Sequence, residues 1–374
     1  MEQEYFTNRI LAYFHLLGLY LNKKEASYLK IDQESLPFFI KLSKYHSLSA
    51  LFFKVVKETN VDVSKEDLKK LEESYLLNVR KSALFAKERK DLYQYLNNQQ
   101  IDFLPLKGIV IKDYWLDPDS REFADNDILF SDEKSKLIKE YFVKKEYEVK
   151  YYKKSNHDVY MKKPFFNFEM HRRLFDEIED APKLISYFAN YLEESPIKEG
   201  YEHYLSDENF YIYFTAHSFK HFHHSGCGIR TLVDYYVFLK KHPDLNFKYI
   251  NKELKKIDLL DFSNLIKTLV SKVFNDEKLT KEERETLLFI ASSGTYGSLQ
   301  HSVQKGIKEK GRFGYFISRL FPPLSFYKSA YPWAYKSKVL IPVAWLMRFF
   351  RIIFKNPKKA ATELKMISKT KKED

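Results

Sequence analysis

The chain has 374 residues, of which 44% are hydrophobic and 30% charged, and its formal net charge is +12. This composition is that of folded domains with apolar cores and excludes an intrinsically disordered chain. The single cysteine, Cys227, excludes a disulfide within the chain and a zinc site built from cysteines.

The positive charge is concentrated near the C-terminus. Residues 305–374 hold 17 Lys or Arg and 4 Asp or Glu, so the rest of the chain is close to neutral. A nucleic-acid-binding protein more often spreads positive charge over its main domain. The first residues, MEQEYFTNRI, lack a basic stretch followed by an apolar one. We therefore expect no secretory signal and a cytoplasmic location, where thiols stay reduced.

Residues 1–98 are predicted to form a helical N-terminal region. Apolar residues recur at three- and four-residue intervals over residues 4–60, with a break around residues 23–32. Residues 64–98 read as one long helix that has Ser64 as its N-cap and acidic residues in its first turn. This region contains no chemical motif, so we expect it to be a scaffold for the next domain.

Residues 99–178 change to short alternating segments. The pattern predicts helices at 108–115 and 132–145, and strands at 101–106, 127–130, 147–154, 157–163 and 165–173. The expected fold class is α+β, with a small mixed sheet and flanking helices on one side. A helical C-terminal domain at 179–304 and a basic, aromatic segment and tail at 305–374 complete the predicted organisation.

Three carboxylates mark the core as a candidate metal site. Asp125 and Asp127 are one residue apart at the second strand, so their side chains should share one face. Glu169 stands between two apolar residues on the last strand and could complete the set. Carboxylate oxygens held on strands suit Mg²⁺, which can bridge nucleotide phosphates and activate an attacking hydroxyl. Alternatively, the aspartates cap a strand and a turn, and Glu169 is unrelated to them.

A turn at Lys107-Gly108 lies between the first strand and the first helix of the core. Backbone N–H groups at such a turn can bind a phosphate. The order of Lys-Gly turn, Asp-x-Asp and carboxylate between apolar residues is more specific than any one motif alone. Together the motifs indicate a site for a metal ion and a phosphate.

This combination resembles the core of the polymerase-beta-type nucleotidyltransferase superfamily, and in particular a bacterial group of uncharacterised nucleotidyltransferases. The resemblance extends to a later helical region and to the basic stretch from Phe321 to Arg351. The core residues that carry it are Leu106-Lys107-Gly108, Tyr114 with Asp117-Pro118, Arg121 before Asp125 and Asp127, and Glu169-Met170-His171. The later residues are His217, Lys220 and His221, then Gly228-Ile229-Arg230 and Asp234.

The resemblance implies a Mg²⁺-dependent transfer of a nucleoside monophosphate from a nucleoside triphosphate to an acceptor, with Mn²⁺ as the alternative ion. Asp125, Asp127 and Glu169 would be the catalytic metal ligands, with Glu169 serving as a ligand or as the general base. Lys107 and Gly108 would meet the triphosphate. Arg121 would orient the aspartates or neutralise phosphate charge, or else form a structural salt bridge.

Two residues depart from the superfamily pattern. Ile109 follows the turn glycine, where a serine or a second glycine is usual, so the hydroxyl that would touch phosphate is missing. Polar Asn126 stands between the aspartates, where an apolar residue is usual. A buried asparagine at this position would need a hydrogen-bond partner.

Three histidines, His217, His221 and His224, recur at helical spacing. One interpretation is a zinc site on one helix face. The other is that Lys220 and one histidine face the active-site cleft and contact phosphate or base.

Other functions stay open at this point. The chain could be a non-catalytic nucleotide- or RNA-binding protein that keeps the fold. It could also be a membrane-surface adaptor acting through residues 339–374, because aromatic and basic residues there suit an anionic lipid surface. The same segment could instead bind RNA, or form a pair of helices that pack on the domain with a solvated basic tail, which is the interpretation we favour. Val339–Phe354 is too short and too charged to span a bilayer. The acceptor of the transfer reaction could be a small molecule, a sugar, a protein or RNA.

Overall fold

The computed structural model of the chain describes residues 2–24, 35–59, 61–122, 124–176, 181–295 and 331–355, with scattered positions between 303 and 327 and at 362. The predicted break around residues 23–32 lies mostly outside the described residues, as does the basic tail after residue 355 apart from position 362.

Four helices precede the first strand. The fourth is the long helix that the sequence predicts. The Oγ of Ser64 caps it by accepting a hydrogen bond from the backbone N–H of Asp67 at 3.1 Å. Acidic side chains in the first turn complement the positive end of the helix dipole. The four helices are α1 (Glu2–Leu21), α2 (Ser35–Tyr45), α3 (Ser49–Glu58) and α4 (Lys65–Asn98).

Short strands and helices alternate in the central part of the chain. Its first strand ends at a turn in which Lys107 has a φ of +48°, and a helix starts at the next residue. The elements are β1 (Phe103–Pro105), α5 (Gly108–Ile111), β2 (Asn126–Phe130), α6 (Ser135–Lys144), β3 (Glu148–Tyr151), β4 (His157–Lys162) and β5 (Phe166–His171).

The chain then returns to helices, apart from one short hairpin. In the part of the C-terminal section that the structure describes, two further helices span Pro332–Lys336 and Ile341–Lys355. The preceding elements are α7 (Pro182–Tyr187), β6 (Ile197–Glu199), β7 (Glu202–His203), α8 (Asp207–His224), α9 (Ile229–Lys241), α10 (Phe247–Lys256), α11 (Leu260–Phe274) and α12 (Lys281–Ser293).

The seven strands form one mixed sheet in the order β3-β4-β5-β2-β1-β7-β6. Its central strand, β2, pairs antiparallel with β1 and parallel with β5. Because successive side chains on a strand point to opposite faces, β2 contributes to the packing on both sides of the sheet.

One face of the sheet is covered by α4 and α6. Ile128 of β2 and Met170 of β5 pack there with Leu92 of α4 and Phe142 of α6. These side chains are fully or almost fully buried. The long N-terminal helix therefore covers this face of the sheet together with α6.

The other face joins a larger core. Leu129 of β2 belongs to an apolar cluster that includes residues of α1–α3 and of α8–α12. The first and the later helices meet directly in it, since the ring centroids of Phe14 on α1 and Phe274 on α11 are 5.1 Å apart. Helices α1–α3, which precede the central part in sequence, and helices α8–α12, which follow it, thus pack together on this face of the sheet.

The predicted fold class, α+β with a mixed sheet and flanking helices, is confirmed. Two details differ from the sequence prediction. Helices cover both faces of the sheet instead of one, because α4 packs on the face opposite to α8–α12. Strands β6 and β7 lie beyond residue 178, where only helices were predicted, and are too short, at three and two residues, to show an alternating pattern.

Candidate functional site

The pairing of β2 with β5 brings two of the predicted carboxylates together. Asp127 and Glu169 are direct register partners on these parallel strands. Their side chains share the face opposite to Ile128 and Met170. Asp125 lies immediately before β2 and is partly exposed. Its spacing from Asp127 places it on the same face.

Asp127 is the most enclosed of the three carboxylates, with only 2% of its surface exposed. Its Oδ1 accepts a hydrogen bond from the Lys107 ammonium at 2.7 Å and another from Nε2 of His171 at 2.8 Å. A buried carboxylate needs such partners to stay ionised. Lys107, predicted to meet phosphate, therefore also holds the central aspartate.

The carboxyl groups do not ionise alike. Burial raises the pKa of Asp127, but the charge of Lys107 and the hydrogen bond from His171 outweigh it and hold that pKa well below its usual range. Burial and the negative charge of Asp127 raise the pKa of Glu169 to about 8. Burial and the charge of Asp127 also raise the pKa of Asp125. Without a cation, Asp127 is the ionised member and Glu169 stays protonated at neutral pH.

The residues present fit a divalent cation. Neighbouring negative charges raise the pKa values of Asp125 and Glu169, and a cation would remove the unfavourable interaction. Glu169 also has two imidazoles beside it. Its Oε2 lies 3.8 Å from Nε2 of His157 and 3.9 Å from Nε2 of His171. Oxygen and imidazole donors thus meet at one face of the sheet.

Helix α8 lies over the same face of the sheet as the carboxylates, because its apolar residues belong to the same cluster as Leu129 of β2. Burial is the main cause of the lowered pKa values of His157 and His171 on the sheet, and the charges of Lys107 and of Lys220 on α8 add to it. On α8, Nε2 of His217 lies 3.1 Å from Nε2 of His221. Burial and the charge of Lys107 lower the pKa of His217 well below its usual value, so its ring is neutral.

The structure separates the histidines that the sequence grouped. His217 and His221 are in contact, while His224 lies at the end of α8. Among the described residues, the group with spacing suited to a metal is His157, Glu169 and His171, which contains none of these three. The alternative in which Lys220 and a histidine face the cleft matches this geometry better than a zinc site on α8.

Asn126, the polar residue between the aspartates, is completely buried on the face of α4. Its Oδ1 accepts a hydrogen bond from Nη1 of Arg89 on α4 at 2.8 Å. The hydrogen-bond partner that the sequence required for this residue therefore exists. It also ties the strand that carries Asp127 to the long N-terminal helix.

Gly108 and Arg121 have structural roles that the sequence left open. Arg121 makes a bidentate ion pair with Asp234 of α9, with both N···O distances at 2.8 Å. A Cβ added to Gly108 would lie 2.8 Å from Nη1 of Arg121, so packing against the paired arginine also favours glycine here. The contacts favour the structural salt bridge for Arg121 over direct contact with phosphate.

Two cavities adjoin the core at some distance from the paired carboxylates. One of about 680 Å³ is lined by Lys81, Ala124 and Arg230, next to Asp125. The other, of about 840 Å³, lies beside α5 and β7 and is lined by Tyr114, among others. Asp127 and Glu169 line neither cavity. The cavity of about 680 Å³ next to Asp125 is large enough for a small organic ligand.

The family model of an uncharacterised nucleotidyltransferase family matches residues 32–275, well over half of the chain. This chain belongs to that family. No curated protein and no solved structure matches it. The matched region runs from α2 to α11 and contains the three carboxylates, Lys107 and α8.

Membership in the nucleotidyltransferase family confirms the resemblance found in the sequence and assigns the chain a nucleotidyltransferase role in general terms. Such a role implies a nucleoside triphosphate as substrate. The residues that bind the cation and those that bind the triphosphate stay predictions.

Sequence reasoning missed one residue of this candidate site. His157 was assigned only to a strand, yet it is the register partner of His171 in the β4–β5 hairpin. The ring centroids of the two histidines are 5.0 Å apart. The available signal was the hairpin itself: with Glu169 and His171 on one face of β5, a histidine opposite them on β4 joins the same face.

Proposed function

We propose that this protein transfers a nucleoside monophosphate from a nucleoside triphosphate to an acceptor, with Asp125, Asp127 and Glu169 holding Mg²⁺ or Mn²⁺. The observation that carries the proposal is the register pairing of Asp127 with Glu169 on adjacent parallel strands. That pairing supports one cation site for both side chains, and membership in the nucleotidyltransferase family supplies the reaction class. The proposed location is the cytoplasm.

In the proposed reaction, an acceptor oxygen bonds to the α-phosphorus while the bond to the β-phosphate oxygen breaks, and pyrophosphate leaves. A bound cation would supply charge neutralisation at the phosphate oxygens. Glu169 is the proposed proton acceptor, because 22% of its side chain is exposed and an acceptor can reach it. With a cation bound, its carboxyl group is ionised at neutral pH and takes the proton of the acceptor.

Lys107 and Lys220, with the two neutral histidines of α8 as hydrogen-bond donors, are proposed to bind the triphosphate. Lys220 and the two histidines of α8 lie opposite the carboxylates, and Lys107 lies among them. Burial lowers the pKa of Lys107, but the negative charges led by Asp127 more than compensate, so it is charged at neutral pH. Lys107 and the backbone at Gly108 are proposed to contact the phosphates, and Arg121 to support the turn from behind.

The test compares three proteins: the unchanged chain, Asp127→Asn, and Asp91→Asn as a control. Asp91 is a surface residue that pairs with Lys145 at 2.9 Å. Pyrophosphate release is measured with each nucleoside triphosphate in Mg²⁺ and in Mn²⁺, together with nucleotide binding. The expected result is that release falls to background in Asp127→Asn and is unchanged in Asp91→Asn. Release that does not depend on Asp127 would overturn the proposed site.

The same measurements separate the enzyme from a non-catalytic module. A nucleotide- or RNA-binding protein that keeps the fold would bind nucleotide or RNA but release no pyrophosphate under any of these conditions. Asp127→Asn would then change binding without any change in turnover.

We also propose a peripheral membrane contact through residues 339–374. Large apolar side chains are exposed along one side of the helix Ile341–Lys355 and just before it, namely Val339, Val343, Leu346, Met347 and Phe350. The surrounding section carries the basic excess of the chain, which would favour anionic lipid. None of the helices that the structure describes has both the length and the apolar character required to cross a membrane.

Co-sedimentation with vesicles tests this contact. The full chain should pellet with phosphatidylserine vesicles, and Leu346→Glu/Met347→Glu should not. Vesicles of phosphatidylcholine alone should bind less of the unchanged chain, because the basic residues lose their partners. Equal pelleting of the variant, or of a chain lacking residues 339–374, would refute the contact.

A further inference from the structure

Two histidines flank Glu169 at distances that suit metal ligation. Nε2 of His157 lies 3.8 Å from Oε2 of Glu169, and Nε2 of His171 lies 3.9 Å from the same oxygen. One ligand atom from each of the three residues lies within 4.8 Å of the other two. The β4–β5 register, in which His157 and His171 are direct partners, fixes this arrangement on the rigid sheet.

The hydrogen bonds of Asn156 orient the ring of His157 for a ligand. The side-chain amide nitrogen of Asn156 donates to the carbonyls of Arg173 at 3.0 Å and Leu174 at 3.2 Å. Its amide oxygen therefore faces Nδ1 of His157, at 3.1 Å. Since that oxygen can only accept, Nδ1 carries the proton, and Nε2 presents a lone pair on the side of Glu169.

This is the arrangement found at metal-binding histidines, in which one ring nitrogen is held by an oxygen and the other is free to bind the metal. Asn156 is itself anchored, because its backbone N–H donates to Asp176 at 3.2 Å and 5% of its surface is exposed. Nδ1 of His157 is thus held by a residue that is not one of the three proposed metal-binding carboxylates.

We propose that His157, Glu169 and His171 bind a first-row transition-metal ion in preference to Mg²⁺. Two imidazoles and one carboxylate form a ligand set that zinc uses in catalytic sites with an open position. Mg²⁺ is held almost entirely by oxygen ligands. The inference names the class of cation that binds Glu169. It rests on the proposed function only for the role of that ion in the reaction.

Ligation requires the two imidazole nitrogens to move towards Glu169. Ligand atoms around a tetrahedral zinc ion with bonds of ~2.1 Å lie about 3.4 Å apart, so the observed 3.8 and 3.9 Å must shorten by about 0.5 Å. At His171, Nε2 now donates its proton to Asp127. An ion at that nitrogen moves the proton to Nδ1, which is buried and has no hydrogen-bond partner among the described residues. His157 is therefore the stronger of the two imidazole ligands.

The test uses the full chain, freed of metal by a chelator and titrated with Co²⁺ as a spectroscopic substitute for zinc. We expect one Co²⁺ per chain, visible absorption bands of a low-coordinate nitrogen-ligated ion, and no displacement by excess Mg²⁺. His157→Gln should weaken Co²⁺ binding at least about tenfold. His223→Gln is the matched control, because His223 is exposed on α8 and stacks on Phe219, and it should bind Co²⁺ like the unchanged chain.

Equal Co²⁺ binding by the unchanged chain and His157→Gln would overturn the inference, and so would displacement of Co²⁺ by Mg²⁺. Circular dichroism and thermal melting establish that His157→Gln is folded. If it is not, Glu169→Gln gives the same comparison from the carboxylate side. The cobalt measurement needs no nucleotide, so its failure leaves the transfer reaction standing, and a failure to release pyrophosphate leaves the metal site standing.

Discussion

The ammonium of Lys107 lies 2.7 Å from Oδ1 of Asp127, so a lysine neutralises the aspartate at the centre of the proposed cation site. A divalent cation that binds this oxygen has to compete with the lysine. Triphosphate oxygens would offer the ammonium another partner. Binding of nucleotide and binding of metal are therefore expected to favour each other.

Replacing Lys107 by methionine should remove the coupling between metal binding and nucleotide binding. Mn²⁺ should bind the nucleotide-free variant at least about tenfold more tightly, because the competing charge is gone and tenfold corresponds to about 1.4 kcal/mol. The metal-free variant should also lose about 3–5 kcal/mol of unfolding free energy, since a buried carboxylate loses its main counter-ion. Calorimetric titration of Mn²⁺ with and without nucleotide measures the coupling.

The control for this variant is Lys145→Met, which removes a lysine from a solvent-exposed ion pair with Asp91. Its Mn²⁺ affinity should equal that of the unchanged chain. Unchanged or weaker Mn²⁺ binding by Lys107→Met would show that the lysine does not compete with the cation.

The buried pair of Arg121 with Asp234 should matter for stability more than for nucleotide binding. The two side chains are 6% and 4% exposed, and Nε1 of Trp115 donates to the same carboxylate at 2.9 Å. Arg121→Met should lower the free energy of unfolding by about 3–5 kcal/mol, because Asp234 is left buried and uncompensated. Urea unfolding measures this loss, and nucleotide titration at low temperature should show an affinity close to that of the unchanged chain.

The double variant Arg121→Met/Asp234→Leu should recover a large part of the lost stability, because it removes both charges. A large loss of nucleotide affinity in folded Arg121→Met would instead indicate contact between the arginine and phosphate.

His46 should make the stability of the protein depend on pH. The ring is fully buried, with Nδ1 accepting the backbone N–H of Ile229 at 3.2 Å and Nε2 donating to the carbonyl of Ala291 at 3.0 Å. Burial lowers its pKa from 6.5 to about 4. The unfolded chain therefore takes up a proton at a higher pH than the folded chain does, and protonation breaks the bond from Ile229.

This contribution is complete above pH ~6.5 and is lost as the pH falls towards 4, a total of about 3 kcal/mol. Urea unfolding between pH 7.5 and 4.5 should show the slope, and His46→Gln should reduce it. The exposed-histidine variant His223→Gln should keep the slope of the unchanged chain. Equal slopes in His46→Gln and the unchanged chain would contradict the assignment.

Gly18 permits the close crossing of α1 over α11. A Cβ at this position would lie 2.7 Å from the backbone oxygen of Phe274, which cannot move without shifting the helix. Gly18→Ala should therefore lower the free energy of unfolding by about 1–3 kcal/mol. In Gly314→Ala the nearest atom is the Cβ of Lys310 at 3.3 Å, so a change within about 1 kcal/mol is expected. A neutral Gly18→Ala would show that the helices can separate freely.

Local sequence signals predicted the elements that the site is built on. Alternating apolar residues gave β2, β4 and β5 to within two residues, and Ser64 marked the start of α4. These signals are informative because each element buries one face. Apolar residues therefore recur along it at the period of a strand or a helix. Asp125 and Asp127 could be placed on one face by parity alone.

Contacts between distant residues could not be predicted in this way. Nothing near Lys107 in sequence shows that its ammonium binds Asp127, and the hairpin register alone brings His157 to Glu169. Arg121 was assigned to phosphate as readily as to a salt bridge, since its partner Asp234 lies 113 residues later. The pairing of buried charges depends on the tertiary fold, which periodicity does not encode.

The hydrogen bond from Arg89 to Asn126 makes two positions 37 residues apart depend on each other. An apolar residue at 126 alone would leave the mostly buried guanidinium of Arg89 without this acceptor, and an apolar residue at 89 alone would leave the amide of Asn126 without its donor. We therefore expect the two positions to have changed together during the divergence of the family. Relatives with an apolar residue between the two aspartates should lack the arginine on the long helix.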